Sequence, residues 1–424
     1  MRNLLRLAAA SAWNRRGTLS LTVLAVALSV TLLLGIERLR QDVRENFMQS
    51  VSGTDLVVGA RTGPVQLMLY AVFRIGGATN NVGWKSVQAV AADPAVAWSI
   101  PLSLGDSHRG FPVLGTTPAY FEHYRYGDGR MLELRQGRAF ADSPDGLFDA
   151  VLGVEVAQRL GYRLGQPIVL AHGAGDVNLA EHADKPFRVV GILARTGTPV
   201  DRTVHVSLAA IEAIHLDWQG GAPVPGMSIP AEFARKFDLT PKSVTAVLLG
   251  LKSRAAVFQV QRRINGFSGE PLMAVLPGVA LDELWEVVGV ASRALMAVSA
   301  LVVAVGLAGL TAVVLAGLNE RRRELAILRS VGAHPRDIFA LLALEGILVT
   351  LAGMLLGMAL LATAGAGFAP WLEAHHGIVL RPLAMGAGEW QLLAAVLASG
   401  AAASLVPGWR AYRLSLGDGL VPRI

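Results

Sequence analysis

Nine histidines and no cysteine define the chemistry open to this chain's side chains. Without cysteine there are no disulfides, thiolate metal sites or thiol nucleophiles. The histidines form neither His-x-x-x-His nor His-Glu-x-x-His, the spacings that place two imidazoles on one helical face. His172 and His182 lie near Asp176, Glu181 and Asp184, while His375 and His376 follow Glu373. Adjacent side chains on a regular element point apart, so His375 and His376 make a weak chelate. Both groups read as polar, solvated loops, and no metal site is expected. Spacing alone identifies no Ser/His/Asp triad, and a noncatalytic protein is expected. Glu345 differs, because it interrupts a long apolar run. A carboxylate within a membrane span is costly and often functional. It stands about two helical turns inside its run, so it can snorkel to the boundary, hydrogen-bond at a helix interface, or serve coupling or dimer packing.

The elements that must position these residues are largely apolar. The 424 residues are 53% hydrophobic and only 17% charged, with mean hydropathy +0.46. Such a composition excludes a disordered chain and disfavours an ordinary soluble enzyme. Four runs reach the roughly 20 residues that cross a bilayer: Thr18–Ile36, Ala294–Leu318, Ile338 to about Leu372, and Gln391–Trp409. The net charge of +6 is concentrated beside them. Arg2, Arg6, Arg15 and Arg16 precede the first run; Arg321, Arg322, Arg323, Arg329 and Arg336 lie between the second and third; Arg410, Arg413 and Arg423 follow the fourth. The loop between the third and fourth runs holds only Arg381. By the positive-inside rule the basic flanks are cytoplasmic, so both termini are inside. Charge placed this way is topological, and nucleic acid is not an expected partner.

The implied order is a cytoplasmic segment 1–17, a first span 18–36, an outer region 37–286, a second span 287–318, an inner loop 319–337, a third span 338–370, an outer loop 371–389, a fourth span 390–409 and a cytoplasmic tail 410–424. The first run is too long for a signal peptide and lacks a small-x-small cleavage site, so it reads as an uncleaved anchor.

The outer region has a different texture. Short β-like runs recur at Asp55–Val58, Pro112–Gly115, Ala150–Gly153, Pro167–Leu170, Phe187–Leu193, Val204–Ser207 and Val244–Leu251, with helical stretches at Gly153–Leu160, Leu208–Ile214 and Ser253–Gly266. The class is α+β, carried on four transmembrane helices. The Pro- and Gly-rich piece Gly220–Lys242 reads as a long loop. Ile36, Leu39, Val43 and Phe47 after the first span, and Leu281, Leu284, Trp285 and Val288 before the second, recur at helical spacing. Both spans are therefore expected to continue outward as amphipathic helices, paired as a stalk or packed on the outer domain.

The inner loop begins as a charged helix, Glu320-Arg-Arg-Arg-Glu-Leu-Ala-Ile-Leu-Arg329, with Leu325 and Leu328 as a small apolar side. Gly332 supplies a helix stop and Pro335 a first turn. Arginines alone would fix topology; an apolar stripe ending in a defined turn is a docking surface for a protein or for lipid headgroups.

This loop, continued by Ser-Val-Gly-Ala333 and Arg336-Asp-Ile-Phe339, resembles that of the FtsX/MacB-type (type VII) permeases of ABC systems. The Gly-rich Gly353-Met-Leu-Leu-Gly357 and the ending Pro407-Gly-Trp-Arg-Ala-Tyr-Arg-Leu-Ser415 are also similar to that family. In the outer region, Leu114-Gly-Thr-Thr-Pro-Ala-Tyr-Phe121, Gly137-Arg-Ala-Phe140, Val151-Leu-Gly-Val-Glu-Val-Ala157 and Phe187-Arg-Val-Val-Gly-Ile-Leu193 resemble the MacB-type periplasmic core. The resemblance implies an inner-membrane permease subunit without a fused ATPase, closer to the lipoprotein-release permeases. It implies that Glu320, Arg321, Arg322, Arg323, Glu324, Leu325, Leu328, Arg329 and Gly332 dock on a cytoplasmic ATPase dimer. ATP and Mg would sit on that partner, since no Gly-x-x-x-x-Gly-Lys-Ser/Thr occurs here and no cofactor binds directly. It further implies a second permease protomer, a possible periplasmic adaptor or binding protein, and mechanotransmission: ATP-driven motion of the outer domain for export or extraction of a membrane or periplasmic substrate. A regulator of periplasmic enzymes of the FtsX kind is the alternative. Another is a metal-linked system, because Asp55–Leu69 and Thr79-Asn-Asn-Val82 are similar to a subgroup associated with metal-responsive operons. A secondary transporter would need paired ionisable residues at mid-membrane, and only Glu345 hints at that.

Overall fold

The computed structural model describes residues 16–173, 180–219, 222–224, 229–320, 327, 329–376 and 385–413. Its main helices are α1 (Arg16–Met48), α2 (Pro64–Ala71), α3 (Val154–Leu160), α4 (Leu208–Ile214), α5 (Val257–Asn265), α6 (Pro277–Glu320), α7 (Pro335–His376) and α8 (Ala387–Arg413). The chain divides into a helical unit, residues 1–42, 288–372 and 380–424, and a sheet unit, residues 43–287 and 373–379.

Among the described residues, four helices are long and apolar enough to cross a membrane: Leu19–Asp42, Gly289–Leu318, Pro335–Leu372 and Ala387–Arg410. Leu19, Val26, Val30 and Leu34 of α1 share a buried core with Val303, Leu307 and Leu310 of α6, Leu342, Val349 and Met354 of α7, and Leu393 and Val396 of α8. Leu21, Leu28, Val298, Leu301 and Val305 are exposed, as lipid-facing positions should be. Association in lipid relies on close packing and small residues. A Cβ on Gly353 would lie 2.6 Å from Val26 Cγ1, and one on Gly357 would lie 2.7 Å from the Ala27 carbonyl. At this crossing the Thr31 hydroxyl donates to the Gly357 carbonyl at 3.1 Å. The glycines of α7 thus bring its backbone against α1.

The sheet unit is α+β. Among the described residues, twelve strands form its largest sheet: β1 (Leu56–Ala60), β2 (Val96–His108), β3 (Phe111–Thr116), β4 (Leu134–Gly137), β5 (Asp149–Leu152), β6 (Pro167–Ile168), β7 (Ala171–His172), β8 (Ala180–Glu181), β9 (Phe187–Leu193), β10 (Val204–Ser207), β11 (Ala246–Leu251) and β12 (Leu272–Val275). The main path runs β12-β1-β11-β2-β3-β10-β5-β9-β4, with β7 and β8 added beside β2 and β6 beside β9. The pairs β3–β10 and β5–β9 are parallel and the rest antiparallel. Strand β1 is buried at every position, which explains its continuous apolar run, Leu-Val-Val-Gly-Ala. A Cβ on Gly59 would stand 2.5 Å from Leu67 on α2, itself fully buried, so a larger residue there would force this packing to shift. The distinctive Asp55–Leu69 stretch is therefore a core strand, a turn and the packed helix α2. The Pro- and Gly-rich loop Gly220–Lys242 contributes Ala222–Pro223 to a small hairpin with the preceding Trp218–Gln219 and holds a short helix, Ala231–Ala234; its residues 220–221 and 225–228 lie outside the described residues.

The amphipathic flanks of the spans use both expected modes. Arg44 of α1 meets Asp282 of α6 at 2.8 Å. Beyond it, Phe47 stacks on Phe73 with ring centroids 4.0 Å apart, and Leu281 is fully buried in the same apolar cluster.

Candidate functional site

The segment expected to dock on an ATPase joins α6 to α7. Glu320 is the last residue of α6, and Arg321, Arg322, Arg323, Glu324, Leu325 and Leu328 lie outside the described residues. Arg329 is helical, and the Gly332 N–H donates to its carbonyl at 3.1 Å. Gly332 has φ +107°, a conformation that favours glycine, and it ends the helix. Asp337 then caps α7 by accepting from the His334 N–H at 2.8 Å. Ile327 and Val331, four residues apart, are 52% and 83% exposed. That apolar pair adds to the stripe read from the sequence at Leu325 and Leu328.

Glu345 is 4% exposed, so its carboxylate belongs to the interior of the helical bundle and does not face lipid. The next residue, Gly346, is where α7 meets α8; a Cβ there would collide with Ser404 Oγ. A second polar group ties α1 to α8. Glu37 accepts two hydrogen bonds from Arg40, at 2.7 and 2.9 Å, while Glu389 lies 3.8 Å from Arg38 and accepts from the Gly386 N–H at 2.9 Å. Sequence reading missed this cluster because its members flank the apolar runs.

The sheet unit corrects one expectation. His172 and His182 do not occupy a solvated loop: His182 has no exposed surface, and the fold unites both with Asp106 and His215. One ligand-type atom from each of these four residues lies within 4.8 Å of every other. Sheet pairing builds part of the group, because His172 on β7 is the register partner of Asp106 on β2. Asp106 lies within an irregularity of the β2–β3 pairing, between Leu104 and Ser107. His215 caps the C-terminal end of α4 and donates from Nδ1 to the Ile211 carbonyl at 2.8 Å, which leaves Nε2 to face the group. His182 is anchored by its N–H to the Leu170 carbonyl at 2.9 Å, and its ring packs 4.3 Å from that of Trp218. Glu181 and Asp184 are exposed, Asp176 lies outside the described residues, and His375 and His376 end α7.

The His172 Nδ1 lies 3.2 Å from Asp106 Oδ1 and 3.2 Å from His215 Nε2, and His215 Nε2 lies 3.5 Å from Asp106 Oδ1. Burial opposes the Asp106 charge, but the hydrogen bonds of His172 and His215 outweigh it and hold its pKa at about 2. Burial, then the charge of His215, pushes His182 down to about 4. Burial also acts against the charge of His215, yet its contact with Asp106 prevails and raises its pKa. Among the described residues, neither ring nitrogen of His182 has a hydrogen-bond partner.

Residues 19–267 match the MacB-like periplasmic core domain, and residues 296–416 match the FtsX-like permease C-terminal domain. The lipoprotein-releasing system transmembrane protein LolC of Neisseria meningitidis serogroup B is 24% identical over 278 residues, covering 64% of this chain and 61% of that protein. The macrolide export ATP-binding/permease protein MacB of Bdellovibrio bacteriovorus is 23% identical over 362 residues, covering 82% of this chain and 51% of that protein. The chain thus spans between half and two thirds of the length of these relatives. Among solved structures, the periplasmic region of MacB from Actinobacillus actinomycetemcomitans aligns with TM-score 0.33 and 11% identity, over 57% of this chain and 95% of that one. The extracellular domain of the noncanonic ABC-type transporter YknZ from Gram-positive bacteria aligns with TM-score 0.30 and 12% identity, over 52% and 99%.

Proposed function

The chain belongs to the permeases that join a MacB-like periplasmic core domain to an FtsX-like C-terminal domain, and on that premise we propose that it is the noncatalytic membrane subunit of an ABC-type system, coupled to a separate cytoplasmic ATPase. ATP binding by that partner displaces the segment Glu320–Gly332. The displacement passes along α6 and α1 to the periplasmic core domain, which acts on a membrane or periplasmic substrate. Two protomers, as a homodimer or heterodimer, present two such segments to two ATPase subunits. The inner membrane, with both termini cytoplasmic, is the location that the basic flanks favour.

The observation that carries this reading is the pair of family matches, which together cover most of the chain. Helix geometry supports it, because α6 is a single 44-residue helix from the end of the sheet unit to Glu320. At 1.5 Å per residue it is about 66 Å long, enough for a span plus an extension. The exposed Ile327 and Val331 supply an apolar face for a partner. The deciding experiment is detergent co-purification from the native membrane with an ATPase assay. Wild type should retain a stoichiometric P-loop ATPase, and Ile327→Asp with Val331→Asp should lose it while remaining folded. A variant that keeps full ATPase binding, or a wild type that captures none, would sink the proposal.

A further inference from the structure

The geometry points to a closed four-ligand site for a zinc-class divalent ion in the periplasmic core domain, made by Asp106, His172, His182 and His215. Zinc binds imidazole nitrogen at about 2.0–2.1 Å and carboxylate oxygen at about 2.0–2.2 Å, so the ligand atoms of a regular tetrahedron stand about 3.3–3.5 Å apart. The three measured separations among Asp106 Oδ1, His172 Nδ1 and His215 Nε2 are 3.2, 3.2 and 3.5 Å, the edges of one face of such a tetrahedron.

The fourth corner has independent support. His182 is 0% exposed, and among the described residues neither of its ring nitrogens is partnered. A buried polar group without a partner is costly, and a metal bond removes that cost. Its ligand atom lies within 4.8 Å of the other three, so a small rotation of the ring completes the coordination. The second shell is also in place, since the Nδ1–H bond of His215 to the Ile211 carbonyl fixes the tautomer that offers Nε2.

The donor set selects the metal. Three imidazoles and one carboxylate in a tetrahedral array suit zinc, whereas calcium and magnesium take six or more oxygen-rich positions. With four protein ligands no position stays open for water, so the ion is structural and not hydrolytic. It ties β2, β7, the turn after β8 and the end of α4 at one point.

The test uses full-length protein in detergent, carrying an affinity tag without histidine and stripped by a chelator. Cobalt(II) is the probe, because its visible absorption is strong in tetrahedral sites and weak in octahedral ones. Wild type should bind one cobalt per chain with tetrahedral absorption, lose it to zinc, and melt at a higher temperature when loaded. His182→Ala and His215→Asn should each weaken binding at least about 100-fold, while Glu181→Gln, an exposed neighbour, should bind as wild type does. Weak octahedral absorption, or cobalt binding equal in wild type and His182→Ala, would overturn the assignment. If either variant fails to fold, the wild-type stoichiometry and spectrum still decide. The ATPase co-purification is a separate readout, so this proposal and the coupling proposal fail independently.

Discussion

The Lys185 ammonium, with no exposed surface, sits 3.0 and 2.9 Å from the two carboxylate oxygens of Asp217. Asp184 adds a third oxygen at 2.6 Å, and the Ile229 N–H donates to Asp217 at 3.0 Å. This is a buried ion pair with its hydrogen bonds satisfied. Removing one partner leaves the other charge stranded, which costs about 3–5 kcal/mol. Lys185→Met should therefore lower the melting temperature of the full-length protein sharply. A loss below about 1 kcal/mol would mean that solvent reaches Asp217 and that the pair is not a structural tie.

His205 provides a pH signature. It is fully buried, donates from Nδ1 to the Val151 carbonyl at 3.2 Å, and lies 5.3 Å from the Tyr120 ring. Burial, followed by the charge of Arg74, pushes its pKa down to about 3. The unfolded chain then binds the proton more readily, so the contribution of this residue to stability is full above its ordinary pKa and declines as pH falls toward the folded value. The slope is at most about 1.4 kcal/mol per pH unit. Thermal unfolding of wild type and His205→Gln should diverge in slope between roughly pH 6 and pH 4, with the wild type steeper. Parallel curves would show that the ring is protonated or hydrated in the folded state.

The crossing of α1 and α7 makes a steric prediction. Gly357→Ala places a methyl 2.7 Å from the Ala27 carbonyl, which is backbone and yields little. Gly367 on the same helix has nothing within 4 Å of a Cβ. Gly357→Ala should cost about 1–3 kcal/mol, and Gly367→Ala should be neutral or slightly stabilising. Equal melting temperatures for the two variants in detergent would rule out close backbone packing at Gly357.

Arg44 and Asp282 test the mechanical reading. Their side chains are 46% and 56% exposed, so Arg44→Ala should change stability by less than about 1 kcal/mol. Because the chain has no cysteine, Arg44→Cys with Asp282→Cys creates the only two thiols. A short bis-thiol-reactive linker should join them within one chain. If these helices move during the cycle, linkage should abolish stimulation of the partner ATPase or transport by the complex. Full activity of the linked protein would exclude relative motion at this level.

Much of the fold was legible because hydrophobic period reports burial. Phe187–Leu193, Val204–Ser207 and Leu208–Ile214 form elements with the bounds read from the sequence. Strand β2, Val96–His108, was not legible. Trp98, Ile100, Leu102 and Leu104 alternate with Ser99 and Ser103, but Pro101 in the run and Gly105 followed by Asp106, Ser107 and His108 argue against a long strand when read locally. Its pairing with β11 and β3 overrides local preference. That omission also hid the histidine site. Asp106 lies on the unread strand, and His215 meets it only through the tertiary fold, so His172 and His182 alone looked like loop residues. Buried His182 and exposed Glu181 are adjacent in sequence, and only the sheet distinguishes them.

The placement of β1 has a consequence for biogenesis. Both of its neighbours in the sheet, β11 and β12, come from about two hundred residues further along the chain. Val57 pairs with Leu248 on one side and with Val275 on the other. Such long-range closure is slow, because the loop entropy is lost before the contacts form. On a nascent chain delivered through a translocon, β1 emerges early and has no partner until residue 275 has followed. The core domain therefore completes its sheet only as the second span arrives at the membrane, and a chaperone that shields Leu-Val-Val-Gly-Ala during that interval should raise the yield of folded protein.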